Sequence, residues 1–180
     1  MYDVLIVGDG PAGLSAALFL SKREMKVKVF GQDGTLMHKA NVLNYLGIQE
    51  VTGSEFQRIS REQVCSFGAE LIEKEVTSAE RTENRFKITD TDGDSYEAAY
   101  LILATGPSNP LAESFGVDKG DEGILSDRYG RTKIDGLYVV GWSTRMKKIQ
   151  AIISAGDGAC AALDILSHRA GEDLHDFDVI

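Results

Sequence analysis

The 180 residues are enough for one well-buried domain and short for two. A formal net charge of −9 argues against nucleic acid or an anionic membrane surface as partner. Hydrophobic residues make up 43% of the chain and charged ones 26%, and no apolar run reaches membrane-spanning length. Strand-like sequence begins at Tyr2 and leaves no room for a signal peptide, so the expectation is a cytoplasmic protein with no membrane association. Cys65 and Cys160 form no C-x-x-C motif and read as buried apolar side chains rather than a redox pair. His38, His168 and His175 share no spacing with carboxylates or cysteines, so no metal site is expected.

In chain order, Val4–Val7 reads as a short apolar strand, and Gly8, Gly10 and Gly13 follow it at G-x-G-x-x-G spacing. Gly8 allows a tight exit from the strand. Gly10 removes a Cβ where a diphosphate approaches, and Gly13 lets the next helix pack close to the strand. Ala12–Lys22 then carries Ala16, Ala17 and Leu20 at helical spacing, and its N-terminus offers unpaired N–H groups to an anion. Met25–Phe30 alternates as a second strand and completes a βαβ unit. In dinucleotide folds an acid closes that strand and holds an adenosine ribose hydroxyl. Here Gly31 occupies the position, and Gln32 and Asp33 are the candidates to turn back to the ribose.

Asp33–Gly53 is long, irregular and apolar enough for an ordered segment covering a ligand, with His38 read as a solvent-exposed side chain. Ser54 is expected to open a helix running to about Phe67, with Phe56, Ile59 and Val64 on its buried face. Ala69–Ala79, Arg85–Thr91 and Ser95–Ala98 read as a small antiparallel meander. Tyr100–Ala104 is a fully apolar buried strand ending in Thr105-Gly106. Pro107–Glu122 is patternless surface connection, Ile124–Ile134 carries short elements, and Gly136–Gly141 is another buried strand. Gln150–His168 is a helix in which Gly156 and Gly158 imply close packing. The expected organisation is one domain over residues 1–180, with a core over 1–168 and a loosely held acidic tail over 171–180.

The Gly8–Ala17 motif, Tyr45-Leu46-Gly47, the strand ending Ala104-Thr105-Gly106, and Gly136–Ala162 together resemble the FAD domain of thioredoxin-reductase-like flavoproteins. The resemblance runs from Met1 to about Ser167. It implies an α/β fold, a three-layer FAD/NAD(P)-binding (Rossmann-like) domain with a parallel sheet and a small antiparallel β-meander. It also implies that FAD is the cofactor. Gly8, Gly10, Pro11, Ala12 and Gly13 would meet the diphosphate, and Thr105 and Gly106 would lie beside the adenosine half. Gly141 and Trp142 would face the ribityl chain, and Gln150 and Ala151 the pyrimidine side of the flavin. Three departures accompany the match. The family's inserted second nucleotide domain has only Pro107–Glu122 in its place, the redox C-x-x-C is missing with it, and Gly141-Trp142 stands where the family has Gly-Asp. Ser143 or Thr144 is the candidate to replace that aspartate.

The expected function is therefore an FAD-dependent oxidoreductase without thioredoxin-disulfide reductase activity, reduced by a partner protein or a free reductant. No side chain is named as acid or base. The alternative is a non-catalytic nucleotide-binding sensor or scaffold subunit. A homodimer, or pairing with another chain, would cover the apolar Leu36–Leu46 segment. The basic cluster Arg145, Lys147 and Lys148 would suit an acidic redox partner.

Overall fold

The structure, a computed structural model, describes residues 1–178. Its elements are β1 (Tyr2–Val7), α1 (Pro11–Lys22), β2 (Val27–Gly31), a 3₁₀ turn (Leu36–Lys39), β3 (Asn41–Val42), β4 (Val51–Thr52), α2 (Gly53–Ser66), β5 (Glu70–Glu73), β6 (Val76–Thr82), β7 (Arg85–Asp90), β8 (Ser95–Leu103), α3 (Pro110–Ser114), β9 (Lys119–Gly120), β10 (Gly123–Ile124), β11 (Leu137–Val139) and α4 (Ala151–Ala170). The main sheet runs β5-β2-β1-β8-β7-β6, and β11 joins it beside the C-terminal half of β8. β5, β2, β1, β8 and β11 are parallel, as the apolar runs of β1 and β8 predict for strands covered on both faces.

Side chains alternate between two cores. Val4, Ile6, Val29 and Ile102 point to the helical layer, where they meet Leu14, Ala17, Leu20, Ala161 and Ile165. Leu5, Val7, Leu101 and Leu103 point to the opposite face and are covered by Phe86, Ile88 and Val76 of the meander and by Ala112. These are the three layers expected from the resemblance. The meander is nonetheless continuous with the sheet, because Ser95–Ala98 and Tyr100–Ala104 form one strand rather than two. The first half of β8 pairs with β7, and the second half runs between β1 and β11. Ala69–Ala79 is likewise two strands: β5 closes the parallel edge next to β2, and β6 pairs with β7 in the meander.

Several local expectations need correction. α2 starts one residue before Ser54, because Thr52 is its cap and accepts from the Glu55 N–H. Its inward positions are Gln57 and Val64, whereas Ile59 is half exposed. Cys65 and Cys160 are both exposed free thiols, since each falls on the outer side of an amphipathic helix. Gly158 does mark close packing: a Cβ there would lie 2.0 Å from the Ala12 carbonyl oxygen, so α1 and α4 touch backbone to backbone. Gly156 faces open space and has no such reason. The acidic tail is tied down as far as it is described. Lys22 and Arg23 hold Asp176 at 2.8 and 2.9 Å, and Leu174 N–H donates to Ser167 Oγ. The last two residues of the expected tail lie outside the described residues. Among the described residues, no helix is long and apolar enough to cross a membrane.

Candidate functional site

The C-terminal ends of β1, β2 and β8 open onto a cleft of about 500 Å³, the position where open α/β sheets take ligands. The turn after β1 forms its floor. Gly8 adopts φ +110°, and a Cβ on it would lie 2.2 Å from the Ala104 carbonyl oxygen. A Cβ on Gly13 would lie 1.9 Å from the Gly8 carbonyl oxygen. Both positions require glycine because the chain touches itself there. Gly10 differs, since the nearest atom to a Cβ there is Thr35 Oγ1 at 3.6 Å, leaving the backbone open to an approaching ligand. Gly10 is also the N-cap of α1, with Pro11 following. No side chain caps the helix and no acid lies in its first turn, so its N–H groups and dipole face the cleft uncompensated.

Of the residues read from the sequence as cofactor contacts, Gly8, Gly10, Pro11, Ala12, Gln32, Thr105, Gly106 and Trp142 line the cleft. Gly13 and Gly141 do not; they are packing glycines beneath it, and a Cβ on Gly141 would press on Ala12. Asp33 turns away from the cleft. Its carboxylate pairs with His38 Nε2 at 2.9 Å, while His38 Nδ1 meets Ser54 Oγ, so the histidine is exposed, as expected, and also bridged between two side chains. Gln150 and Ala151 lie apart from the cleft, at the start of α4, where Gln150 accepts from Asn44 of the covering segment. Ser143 and Thr144 donate their hydroxyls to the Gly106 and Gly141 carbonyls, which leaves each only the lone pairs of its oxygen, an acceptor role like that of the missing aspartate.

Two residues, and the state of a third already named, escaped sequence reasoning. Asp9, within the glycine turn, is 5% exposed and lines the cleft. Its Oδ2 pairs with Arg61 of α2 and accepts the Asp33 N–H, while buried Gln57 donates to its carbonyl. The available signal was an acid at the middle position of G-x-G combined with glycine where an acid belongs. Lys74, between β5 and β6, also reaches the cleft. It meets Asp90, Asp92 and Asp94 at 2.9, 3.0 and 3.1 Å, and these carboxylates hold its ammonium pKa well above the ordinary lysine value. The third is the Trp142 indole N–H, buried at the cleft wall without a partner among the described residues. Such a donor costs about 1–3 kcal/mol unless something accepts from it.

The residues present fit a dinucleotide. A tight glycine turn that no Cβ on Gly8 or Gly13 would allow, an open backbone at Gly10, an uncapped helix N-terminus and an orphaned donor converge on one cleft.

The chain matches the sequence pattern described as pyridine nucleotide-disulphide oxidoreductase over residues 2–119 and again over 52–158. It is 34% identical over 129 residues to a thioredoxin reductase of Aquifex aeolicus, covering 69% of this chain and 39% of that protein. It is 35% identical over 112 residues to a bifunctional thioredoxin reductase/thioredoxin of Mycobacterium leprae, covering 60% of this chain and 24% of that protein. The matched region thus spans well under half the length of either relative. In three dimensions it superposes on a thioredoxin reductase from Gloeobacter violaceus with a TM-score of 0.86 at 18% identity, covering 99% of this chain and 98% of that one. A ferredoxin-flavin thioredoxin reductase from Clostridium acetobutylicum superposes with a TM-score of 0.81 at 21% identity, covering 94% and 98%. The glycine cradle, the sheet that carries it and the sequence match agree: this chain belongs to the pyridine nucleotide-disulphide oxidoreductase family.

Proposed function

We propose that this chain is an FAD-binding oxidoreductase module whose electrons come from a partner protein or a free reductant. The observation that carries the reading is the tight glycine turn leading into the uncapped start of α1, which suits a diphosphate. Backbone N–H groups of α1 hold the diphosphate, Thr105 and Gly106 flank the adenosine half, and Trp142 walls the far side. The start of α4, with no acid in its first turn, presents a second positive helix end. Bound FAD supplies the electron-accepting ring, and the protein contributes binding and orientation. Between β8 and β11 the chain builds α3 and the β9–β10 hairpin, not a second nucleotide domain. The reducing equivalent therefore has to arrive from outside this module.

Entry of electrons through an acidic partner is supported by Lys147 and Lys148, which are exposed just before α4. Arg145 drops out of that cluster because both its guanidinium contacts go to Asp157, at 2.9 and 2.8 Å. Lys147→Glu with Lys148→Glu should slow partner-dependent reduction about tenfold at low salt and blunt its salt dependence. Unchanged stopped-flow kinetics would remove the patch from the reading.

A second reading, a nucleotide-binding subunit without redox turnover, is favoured by Trp142, which brings an indole where the family's aspartate would meet the ribityl chain. Purification separates the two. A protein with flavin absorbance that reduces and reoxidises anaerobically is the oxidoreductase. One that stays colourless after incubation with FAD, yet binds ADP, is the sensor or scaffold.

A further inference from the structure

We propose that Asp9 is the ribose-binding carboxylate of this cleft, supplied from the glycine turn instead of from the end of β2. The inference rests on the dinucleotide reading above and deepens it.

In dinucleotide folds the hydroxyls of the adenosine ribose are held by an acid closing the second strand. In this chain the strand closes on Gly31, buried beside the glycine turn. A Cβ on Gly31 would lie 2.1 Å from Asp9 Cγ and 2.4 Å from Asp9 Oδ2. The Asp9 carboxyl group therefore fills the volume in which a side chain at position 31 would begin. One carboxylate can stand in that corner, and the chain has placed it on residue 9.

Its fixation suits a binding role. Oδ2 is committed to Arg61 and to the Asp33 N–H. Arg61 is itself braced by Glu73 at 2.7 Å, with Asp33 Oδ1 a further 3.9 Å contact, so the guanidinium cannot swing into the cleft without breaking its pairs with Asp9 and Glu73. Oδ1 accepts no hydrogen bond among the described residues, is not among the fully buried orphan atoms, and belongs to a residue lining the cleft. It is the acceptor left for a ribose hydroxyl. Arg61 also offsets the negative charge that Asp9 would otherwise set beside a diphosphate. The same arrangement disfavours a ribose bearing a 2′-phosphate, which would meet the carboxylate head-on.

The test compares FAD affinity, by flavin fluorescence, in the wild type, Asp9→Asn, Asp9→Gly, Gly31→Glu and the double variant Asp9→Gly with Gly31→Glu. In Asp9→Asn the amide oxygen turns to Arg61 and leaves an NH₂ group facing the ribose. FAD should bind about tenfold to a hundredfold more weakly, while FMN, which lacks the adenosine half, binds as before. Gly31→Glu alone collides with Asp9 and loses FAD or folds poorly, whereas the double variant regains both stability and affinity. Calorimetry with ADP and its 2′,3′-dideoxy analogue gives a readout without flavin. The wild type should prefer ADP about tenfold, and Asp9→Asn should not discriminate. A folded Asp9→Asn protein that binds FAD as tightly as the wild type overturns the assignment, as does a double variant no better than Gly31→Glu. A wild type that binds neither FAD nor ADP overturns the dinucleotide reading itself.

Discussion

A carboxylate on residue 9 and a glycine on residue 31 share one corner of the cleft, so the side chain that fills it comes from the glycine turn and not from the end of β2. Read along the chain, Gly31 is a lost anchor, and Gln32 or Asp33 is the natural replacement. In the folded protein the Asp33 carboxylate is turned to His38, with Arg61 3.9 Å away, and the Asp33 N–H serves Asp9. Trp142 poses the opposite case, a group whose place was legible but whose state was not. Its position at the end of β11 put it at the cleft, yet only the surrounding atoms show its N–H buried without an acceptor. Trp142→Phe keeps most of the ring and removes the orphan donor. The cofactor-free variant should unfold at the same or a higher urea concentration, with a gain of up to about 1 kcal/mol. A clear fall in its midpoint would show that the N–H has a partner after all.

Among the elements, the contact that matters most for the cleft is the one between α1 and α4. It sets how close the start of α1, with its free N–H groups, sits to the strand ends. Small residues recurring in both helices announced close approach, but periodicity treats Gly156 and Gly158 alike. The structure separates them: Gly158 lies against the Ala12 carbonyl, and Gly156 faces open space on the exposed side. Gly158→Ala should therefore push the helices apart and cost about 1–3 kcal/mol. Gly156→Ala should stabilise by about 0.5–1 kcal/mol through helix propensity and a less flexible unfolded chain. Urea denaturation of the two variants side by side checks the sign of each, and equal effects would mean that the helices do not touch at Ala12. β8 teaches a related lesson. Its length was hidden because its first half, facing β7, alternates in burial, while its last three residues, Leu101–Leu103, are all buried. One strand passing between two environments reads locally as two.

Across the whole molecule, acidic groups outnumber basic ones, 28 to 19, and two aspartates that tie distant parts together titrate abnormally. Burial opposes ionisation of Asp90, but Lys74 and the N–H groups of Asp92 and Asp94 outweigh it and hold its pKa below the usual aspartate value. Asp176, at the other end of the chain, is held down by Lys22 and, against burial, by Arg23. A folded-state pKa below the unfolded one gives stability that is complete above the unfolded value, and it is lost as pH falls through the folded one. The urea midpoint should stay level from neutrality to about pH 5 and drop below about pH 4. Asp90→Asn should make that drop shallower, and an unaltered slope would rule out Asp90 as a source. By itself the sequence determined the opening βαβ unit, the alternation of buried strands and the glycine turn that leads into α1. Glycine spacing and side-chain period are local, and they act before any distant contact forms. Only the tertiary structure decided which carboxylate fills the corner beside Gly31, which carbonyls take the Ser143 and Thr144 hydroxyls, and which glycine the helices require. Each of those outcomes depends on two residues far apart in sequence claiming the same volume, and packed atoms exclude one another only once the chain has folded.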